Sequence, residues 1–514
     1  MEASIRDLMA RMPLAEAVLT LWRWVADAAL LDQIFEQNRG RCYEKILSFS
    51  FLVYLIRDAL LEFNGSGRRT MEKAEERGQL ETSFRAVYGK LQRLPIAVST
   101  ALLAECTARL RVLYPEADKA RIPLPESFAG YRIEIIDGKA IKRVAKRLKP
   151  LWGLPGGVLG GRALVAMDMR SGLATAMSAH PDGDANDVRF VPDLVAQVRR
   201  LAPGRRLWLG DRQYCDLTQP VIFAESGDAF LLRYHPKAQF YADPARPACE
   251  GQDCRGRRYV EDWGWLGSPK RPKKRLYVRR IILYRPSEED LILVTSLCDA
   301  RAVPAVDLLE VYLNRWGIER MFQQVVEVFG LSHLMGTTPE GTICQFSLCL
   351  LLHNLIQVMR GVIAVETGRQ RETISGEKLF EDVQREMIAW SVTIRPEETI
   401  EYFEQPRTAV RVKARLSELL SDVWKDRWLK APPRKRRPQQ QKQQKRTHSS
   451  VYRILEAHQL RLKKEKRGVA VARRCSRQWS GDPRRTKQIR NESSRDQRAV
   501  KTNFAACQAD ARTP

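Results

Sequence analysis

An α/β fold is predicted for the middle of this chain, set between a helical N-terminal region and a basic C-terminal tail. Three observations predict it: short β-patterned runs near residues 131–137, 163–169, 173–179 and 206–210, an amphipathic stretch at 187–201 joining the third run to the fourth, and a charge excess concentrated at the C-terminal end. At 514 residues the chain is long for one hydrophobic core, and its 44% hydrophobic content is ordinary for a globular protein.

Residues 1–128 read as helical. Residues 46–61 are rich in apolar side chains, and 91–113 repeat Leu, Ile, Val and Ala at helical intervals. Residues 83–95 have a helix-Gly-helix look with basic side chains, so the region is assigned as a helical domain with a candidate helix-turn-helix for DNA ends; a plain bundle is the simpler alternative.

The pattern changes at Tyr131. Tyr131-Arg-Ile-Glu-Ile-Ile-Asp137 reads as a buried strand that stops at Asp137-Gly138, leaving a carboxylate at its end. Strands at 163–169 and 173–179, joined by Arg170-Ser171-Gly172, complete a three-stranded meander. Asn186 is a candidate N-cap for a helix over 187–201, whose Val188, Val191, Leu194, Val195 and Val198 form one stripe; Pro192 either kinks it or marks its true start. Arg206-Leu-Trp-Leu-Gly-Asp211 is a further buried strand, again ending in Gly-Asp. Three antiparallel strands, a crossover helix and another strand, with aspartates on the first and fourth, follow the order of a ribonuclease-H-like core.

Residues 225–300 read as a β insertion into that core, with strands at 230–234, 275–284 and 291–297 and a basic arm at 268–280 that could follow a phosphate backbone or form a solvated edge. Helices are expected at 307–329 and 340–365. The second is interrupted by Gln345, His353, Asn354, Gln357 and Arg360, which favours burial in protein over a membrane span. The expected domains are 1–128, the catalytic region 129–365, a small helical region 366–430, and a basic, largely disordered tail 431–514 whose Pro- and Gln-rich start cannot bury enough apolar surface to fold.

The formal net charge of +26 favours a polyanionic partner, nucleic acid first, and the tail alone carries 24 Lys/Arg against 6 Asp/Glu. Ten scattered cysteines fit a reducing cytoplasm, and Cys249 with Cys254 makes only half a zinc site, so free thiols are expected. The N-terminus lacks the basic start and cleavage site of a signal peptide.

Tyr312, Arg315 and Glu319 are spaced three and then four residues, placing them on one helical face. Asp137, Asp211 and Glu319 are the candidate catalytic and metal-ligating residues. Phosphoryl transfer uses two divalent ions about 3.5–4 Å apart, and carboxylate oxygens suit Mg²⁺ or Mn²⁺. Arg315 could grip a phosphate and Tyr312 hydrogen-bond its neighbour. Singly, each acid has a structural explanation, as a turn or a surface helix residue; their joint placement is what points to chemistry. Asp168 suits a turn, the Asp182, Asp184 and Asp187 group lacks the closing Glu of a calcium loop, and no histidine set or nucleophile elbow is present.

Asp137-Gly-Lys139, Gly210-Asp211-Arg212-x-Tyr214 and Tyr312-x₂-Arg315-x₃-Glu319 together resemble the insertion-sequence-four family of bacterial DDE transposases over roughly residues 130–365. The resemblance implies a transposase of an insertion sequence. It would cleave phosphodiesters at the element's ends with water and join the freed 3′-hydroxyl to target DNA, using two Mg²⁺ or Mn²⁺ ions held by Asp137, Asp211 and Glu319. It further implies double-stranded terminal repeats and target DNA as partners, a homodimer in a synaptic complex, no membrane, and a cytoplasmic, nucleoid-associated place. Candidate DNA contacts are Tyr312, Arg315, Arg212, Lys139 and Arg320, with Trp263 or Trp265 as a base-stacking residue beside the plainer reading of a core aromatic. One departure stands out: the family's Lys seven residues after the Glu is Val326 here, with Arg320 and Gln323 nearby as substitutes. A nuclease that cuts without joining, and a catalytically inactive element-derived DNA-binding protein, are the alternatives.

Overall fold

A computed structural model describes residues 3–42, 44, 46–120, 124–142, 144, 146–154, 157–271, 275–286, 288–329, 335–403, 408–431 and 449–478. The N-terminal region is helical: α1 (Ala3–Ala10), α2 (Pro13–Val25), α3 (Ala28–Asn38), α4 (Phe49–Glu62), α5 (Gly67–Glu76), α6 (Phe84–Arg93), α7 (Ile96–Leu113) and α8 (Glu116–Ala120). The side chains of Asp27, Ser48, Ser66 and Ser83 each accept a backbone N–H of the helix they precede, satisfying one of its orphan donors. The break expected at Gly89 falls instead at Leu94 and Pro95, because the proline cannot donate to a continuing helix. Lys90 of that segment is buried and paired with Glu44 at 2.7 Å, so its charge is not offered to DNA.

The central sheet has ten strands: β1 (Arg132–Ala140), β3 (Arg162–Asp168), β4 (Ala174–His180), β5 (Arg206–Gly210), β6 (Ala229–Arg233), β7 (Phe240–Ala242), β8 (Cys249–Gln252), β9 (Arg258–Leu266), β10 (Leu276–Leu283) and β11 (Leu291–Thr295). The two-residue β2 (Val158–Leu159) lies outside it. Spatial order is β4-β3-β1-β5-β6-β11-β10-β9-β7, with β8 also on β9. β1, β3 and β4 form the antiparallel meander; β5 runs parallel to β1, and β6 parallel to β5. The connection from β4 to β5 starts with a 3₁₀ turn at Asp187–Phe190, capped by Asn186, and continues as α9 (Val191–Leu201), so Pro192 marks the true start of the α-helix. A shorter helix, α10 (Gln219–Ala224), links β5 to β6.

The insertion does not stand apart from the core. β11 pairs antiparallel with β6 and continues the same sheet outward. β7, β8 and β9 have no counterpart in the sequence reading; β7 is only three residues long, and β8 and β9 are too polar or interrupted by Gly to show clear alternation. The basic arm is largely committed to the protein. Arg279 is fully buried against Glu261, Arg280 pairs with Asp262 at 2.6 Å, and Arg275 lies over the Trp265 ring; residues 272–274 of the arm lie outside the described residues.

Alternation along β1 divides the core. Ile133 and Ile135 face a large helical core, and Ile136 faces a second one containing Leu194, Val195 and Val198 of α9. The helix expected at 307–329 is divided into α11 (Ala305–Leu313), a 3₁₀ turn at Asn314–Trp316, and α12 (Gly317–Glu327). Behind them lies α13 (Pro339–Glu366), long and apolar enough to cross a membrane yet 94% buried over its most apolar window. Its polar interruptions have protein partners: Gln345 accepts the Met335 N–H, Asn354 bonds both backbone groups of Ala174, and Arg360 donates to the carbonyls of Arg371 and Ile374.

α14 (Gly376–Thr393), α15 (Pro396–Phe403) and α16 (Ala409–Leu420) pack back onto α2, and contacts gather Met1–Arg453 into one compact unit. Glu16 of α2, fully buried, accepts hydrogen bonds from Arg415 at 2.8 and 3.0 Å and from Tyr402 at 2.9 Å. Replacing Arg415 with Ala leaves that buried charge with only the Tyr402 hydroxyl, and the expected loss is about 3 kcal/mol, read as a lower urea midpoint.

Beyond the helices, β12 (Ser449–Ser450) pairs parallel with β2, and the helix α17 (Val451–Gln478) follows. Residues 449–478 therefore depart from the expectation of a disordered tail. Val451 is buried, the Ser450 hydroxyl accepts the Gly183 N–H, and Arg453 pairs with Asp182 at 2.9 Å and Asp184 at 3.4 Å. Two members of the aspartate group thus serve an arginine. Ile454–Pro514 form a second unit; the rest of the expected tail, 432–448 and 479–514, lies outside the described residues.

Candidate active site

The parallel register of β1 and β5 aligns Ile135 with Leu209, so Asp137 and Asp211, each two residues further on, leave the same edge of the sheet. β1 does not stop at Asp137: it continues to Ala140, because β3 supplies partners for every residue to its end. Asp211 stands at the N-cap position of a 3₁₀ turn over Arg212–Tyr214, without a side-chain capping hydrogen bond. Glu319 lies in the first turn of α12, where the helix dipole favours a carboxylate.

Arg315 sits among these acids. It is 7% exposed, donates to Glu319 Oε1 at 3.1 Å, and is held above the usual arginine range by Tyr312, Asp211, Asp137 and Glu319 against the opposing pull of its burial. Asp137 is pushed up to about 6, chiefly by burial; its Oδ1 accepts the Gly138 N–H at 2.8 Å, and Arg315 also holds the value down, while Glu319 and Asp211 raise it. Asp211 Oδ1 is buried with no hydrogen-bond partner, and so is Arg315 Nε. Among the described residues no group of three His, Cys, Asp or Glu side chains stands close enough to hold a metal ion, so the expected ion-sized pocket is not preformed; Arg315 pairs with Glu319 and feels the charges of Asp137 and Asp211.

Several expected DNA contacts are occupied. Tyr312 is buried and its hydroxyl donates to the Gly210 carbonyl at 3.3 Å, bracing α11 against the end of β5, just before Asp211. Burial lifts its phenol to about 12. Trp263 is 3% exposed, with its Nε1 donating to the Cys298 carbonyl at 2.9 Å and Arg246 stacked 3.8 Å from its ring centre; it is a core aromatic. Trp265 meets Tyr277 edge-on with ring centres 5.0 Å apart, and Arg275 lies over its ring at 4.5 Å. Arg212 pairs with Glu289 at 3.2 Å. Lys139 lies over Phe322 at 5.5 Å and is held below the usual lysine range by burial and by Lys142. Arg320 is exposed, while Val326, in place of the expected Lys, packs against the large core.

Asp168 has its predicted turn role, accepting from the Ser171 N–H and hydroxyl at 2.7 Å. Cys249 and Cys254 are exposed free thiols.

The sequence reading set Asp187 aside with Asp182 and Asp184 and did not connect it to the catalytic edge. This buried carboxylate accepts from Arg162 of β3, at 2.6 Å to one nitrogen, and from Gln213 Nε2 at 3.3 Å, two residues after Asp211. It fills the space over Gly138, where a Cβ would overlap its oxygens. A glycine inside a strand, directly after a candidate acid, was the available signal of such a close approach.

Residues 129–355 match the family model of the transposase DDE domain. That interval runs from the start of the sheet through much of α13 and contains all three acids; the match supports a DDE transposase, with DNA as its partner and divalent metal as the usual cofactor of such enzymes. No curated protein matches the chain. Among solved structures, the cryo-EM structure of a piggyBac transposase synaptic complex with hairpin DNA is similar at 10% identity and a TM-score of 0.35, covering 80% of this chain and 87% of that one.

Proposed function

We propose that the chain is a cut-and-paste transposase of a bacterial insertion sequence, of the insertion-sequence-four family, with a ribonuclease-H-like core and Asp137, Asp211 and Glu319 as its catalytic acids. The observation that supports this most is the shared Arg315: one buried guanidinium draws on the charge of all three acids, which leave two neighbouring strand ends and a helix start.

The donor set suits Mg²⁺ or Mn²⁺, since it offers only hard carboxylate oxygens, and the orphaned Asp211 Oδ1 is a buried acceptor with no protein donor. Asp137, Asp211 and Glu319 would hold two such ions. When bound, divalent ions supply an activated attacking oxygen and charge neutralisation on the leaving oxygen. Arg315 offsets the like charges of the acids in the free protein, and its release from Glu319 would free both that carboxylate and a guanidinium fork for a DNA phosphate. Asp137 must be deprotonated to act as a ligand, which the raised carboxyl makes a pH-dependent event. Water is the nucleophile of cleavage and the freed 3′-hydroxyl that of joining; a homodimer would pair two element ends in the cytoplasm.

Purified protein with Mg²⁺ should nick DNA carrying the element's ends and join pre-cut ends to a supercoiled plasmid. Cutting without joining would leave a simple nuclease; neither activity, with DNA binding intact, would leave an inactive binding protein. The basic tail would add phosphate contacts, so truncation before Ala431 should weaken DNA binding and flatten its dependence on salt. An unchanged slope in a salt titration would count against that role.

A further inference from the structure

At the opposite end of β1 from Asp137 lies a cavity of about 410 Å³ walled by the end of α7, α8, the turn between β3 and β4, and the segment after α9. Four cationic side chains line it: Arg111, Lys119, Arg132 and Arg170. Its two carboxylates are already engaged, Glu116 with Lys119 at 2.7 Å and Asp168 with the Ser171 turn. Among the described residues Arg111 and Arg132 make no side-chain ion pair, although Arg111 acts at a distance on the buried Glu134 carboxyl. Arg170 spends one nitrogen on the Lys119 carbonyl at 2.7 Å, while its Nε is buried without a partner.

Gathering like charges around a concavity is unfavourable unless an anion enters, and low-dielectric walls concentrate their field on whatever does. Guanidinium forks select planar or tetrahedral oxyanions, binding phosphate oxygens two at a time. A volume within the range of ordinary ligand pockets exceeds what one small ion needs. We propose that this cavity is a phosphate-binding site, separate from the catalytic edge, that takes a sugar-phosphate segment of DNA or a free polyphosphate through Arg111, Arg132 and Arg170. Arg132 and Asp137 are five residues apart on one strand, about 16 Å, so one ligand phosphate does not serve both places.

The test is a calorimetric titration of the full chain with inorganic pyrophosphate at low salt and without divalent metal. Wild type should bind, Arg111→Ala with Arg132→Ala should weaken binding at least ten-fold, and Asp137→Asn should leave it unchanged. Should the double variant not fold, Arg132→Glu alone, at an exposed position, should give the same loss. Displacement of pyrophosphate by a duplex oligonucleotide identifies the DNA backbone as the natural source; simultaneous binding of both identifies a free polyphosphate. Absence of pyrophosphate binding, or binding indifferent to the arginine substitutions, overturns the proposal, whatever the outcome of the cleavage assay.

Discussion

Asp137→Asn is expected to abolish DNA cleavage and joining while making the protein more stable above pH 6. Outer-shell partners of catalytic metals commonly contribute about 10- to 100-fold, so removing the charge of Asp137, proposed above as a direct ligand, should cost at least about 100-fold in rate. Stability moves the other way. The native carboxyl, near 6, lies above its ordinary value of 3.8, so the folded protein holds this proton more tightly than the unfolded chain. The resulting penalty is absent below about pH 4, grows as pH rises through 6, and is complete above it. A shift of that size corresponds to roughly 3 kcal/mol at most, and about 1–3 kcal/mol once partial solvation is allowed for. Asparagine keeps an oxygen for the Gly138 N–H and removes the buried charge. Urea midpoints at pH 3 and pH 8 without metal should therefore coincide for the two proteins at the lower pH and diverge at the higher. The same titration governs wild-type activity, which should rise through about pH 6 as Asp137 becomes able to bind metal.

Gly138→Ala is the second large effect. Its Cβ would enter the space of the Asp187 carboxylate, which Arg162 and Gln213 hold and which is almost fully buried. Overpacking costs about 1–3 kcal/mol, and here it falls on the link between the strand bearing Asp137 and the turn bearing Asp211. Activity should fall by more than ten-fold, with a lower urea midpoint. Combined with Asp187→Ala, the two stability losses should be strongly non-additive, since the second change removes the obstacle created by the first. Simple additivity in that double-mutant cycle would mean Asp187 and Gly138 act independently.

The meander, the crossover and the strand after it were legible in the sequence because their apolar runs are continuous and their turns carry Gly, Ser or Pro at fixed places. α13 was legible for the same reason, and its polar residues correctly signalled burial against protein. β7 to β9 were not, because strands such as Cys249–Gln252 are nearly all polar and gain their form from pairing with β9. At the site, spacing placed Tyr312, Arg315 and Glu319 together, yet it could not say that Tyr312 would be spent on Gly210 or that Arg315 would be buried within reach of the charges of all three acids. Those are outcomes of packing between elements 100 residues apart. Trp263 shows the same limit: its motif offered an aromatic, and only the fold decides that Arg246 and Cys298 surround it.

The central claim is that three acids now gathered about Arg315 jointly hold divalent cations. Mn²⁺ binding to the DNA-bound protein, followed by electron paramagnetic resonance, tests it most directly. Two bound ions for wild type, with loss of at least one in each of Asp137→Asn, Asp211→Asn and Glu319→Gln, is the predicted result. Mn²⁺ binding that all three substitutions leave untouched would contradict the account.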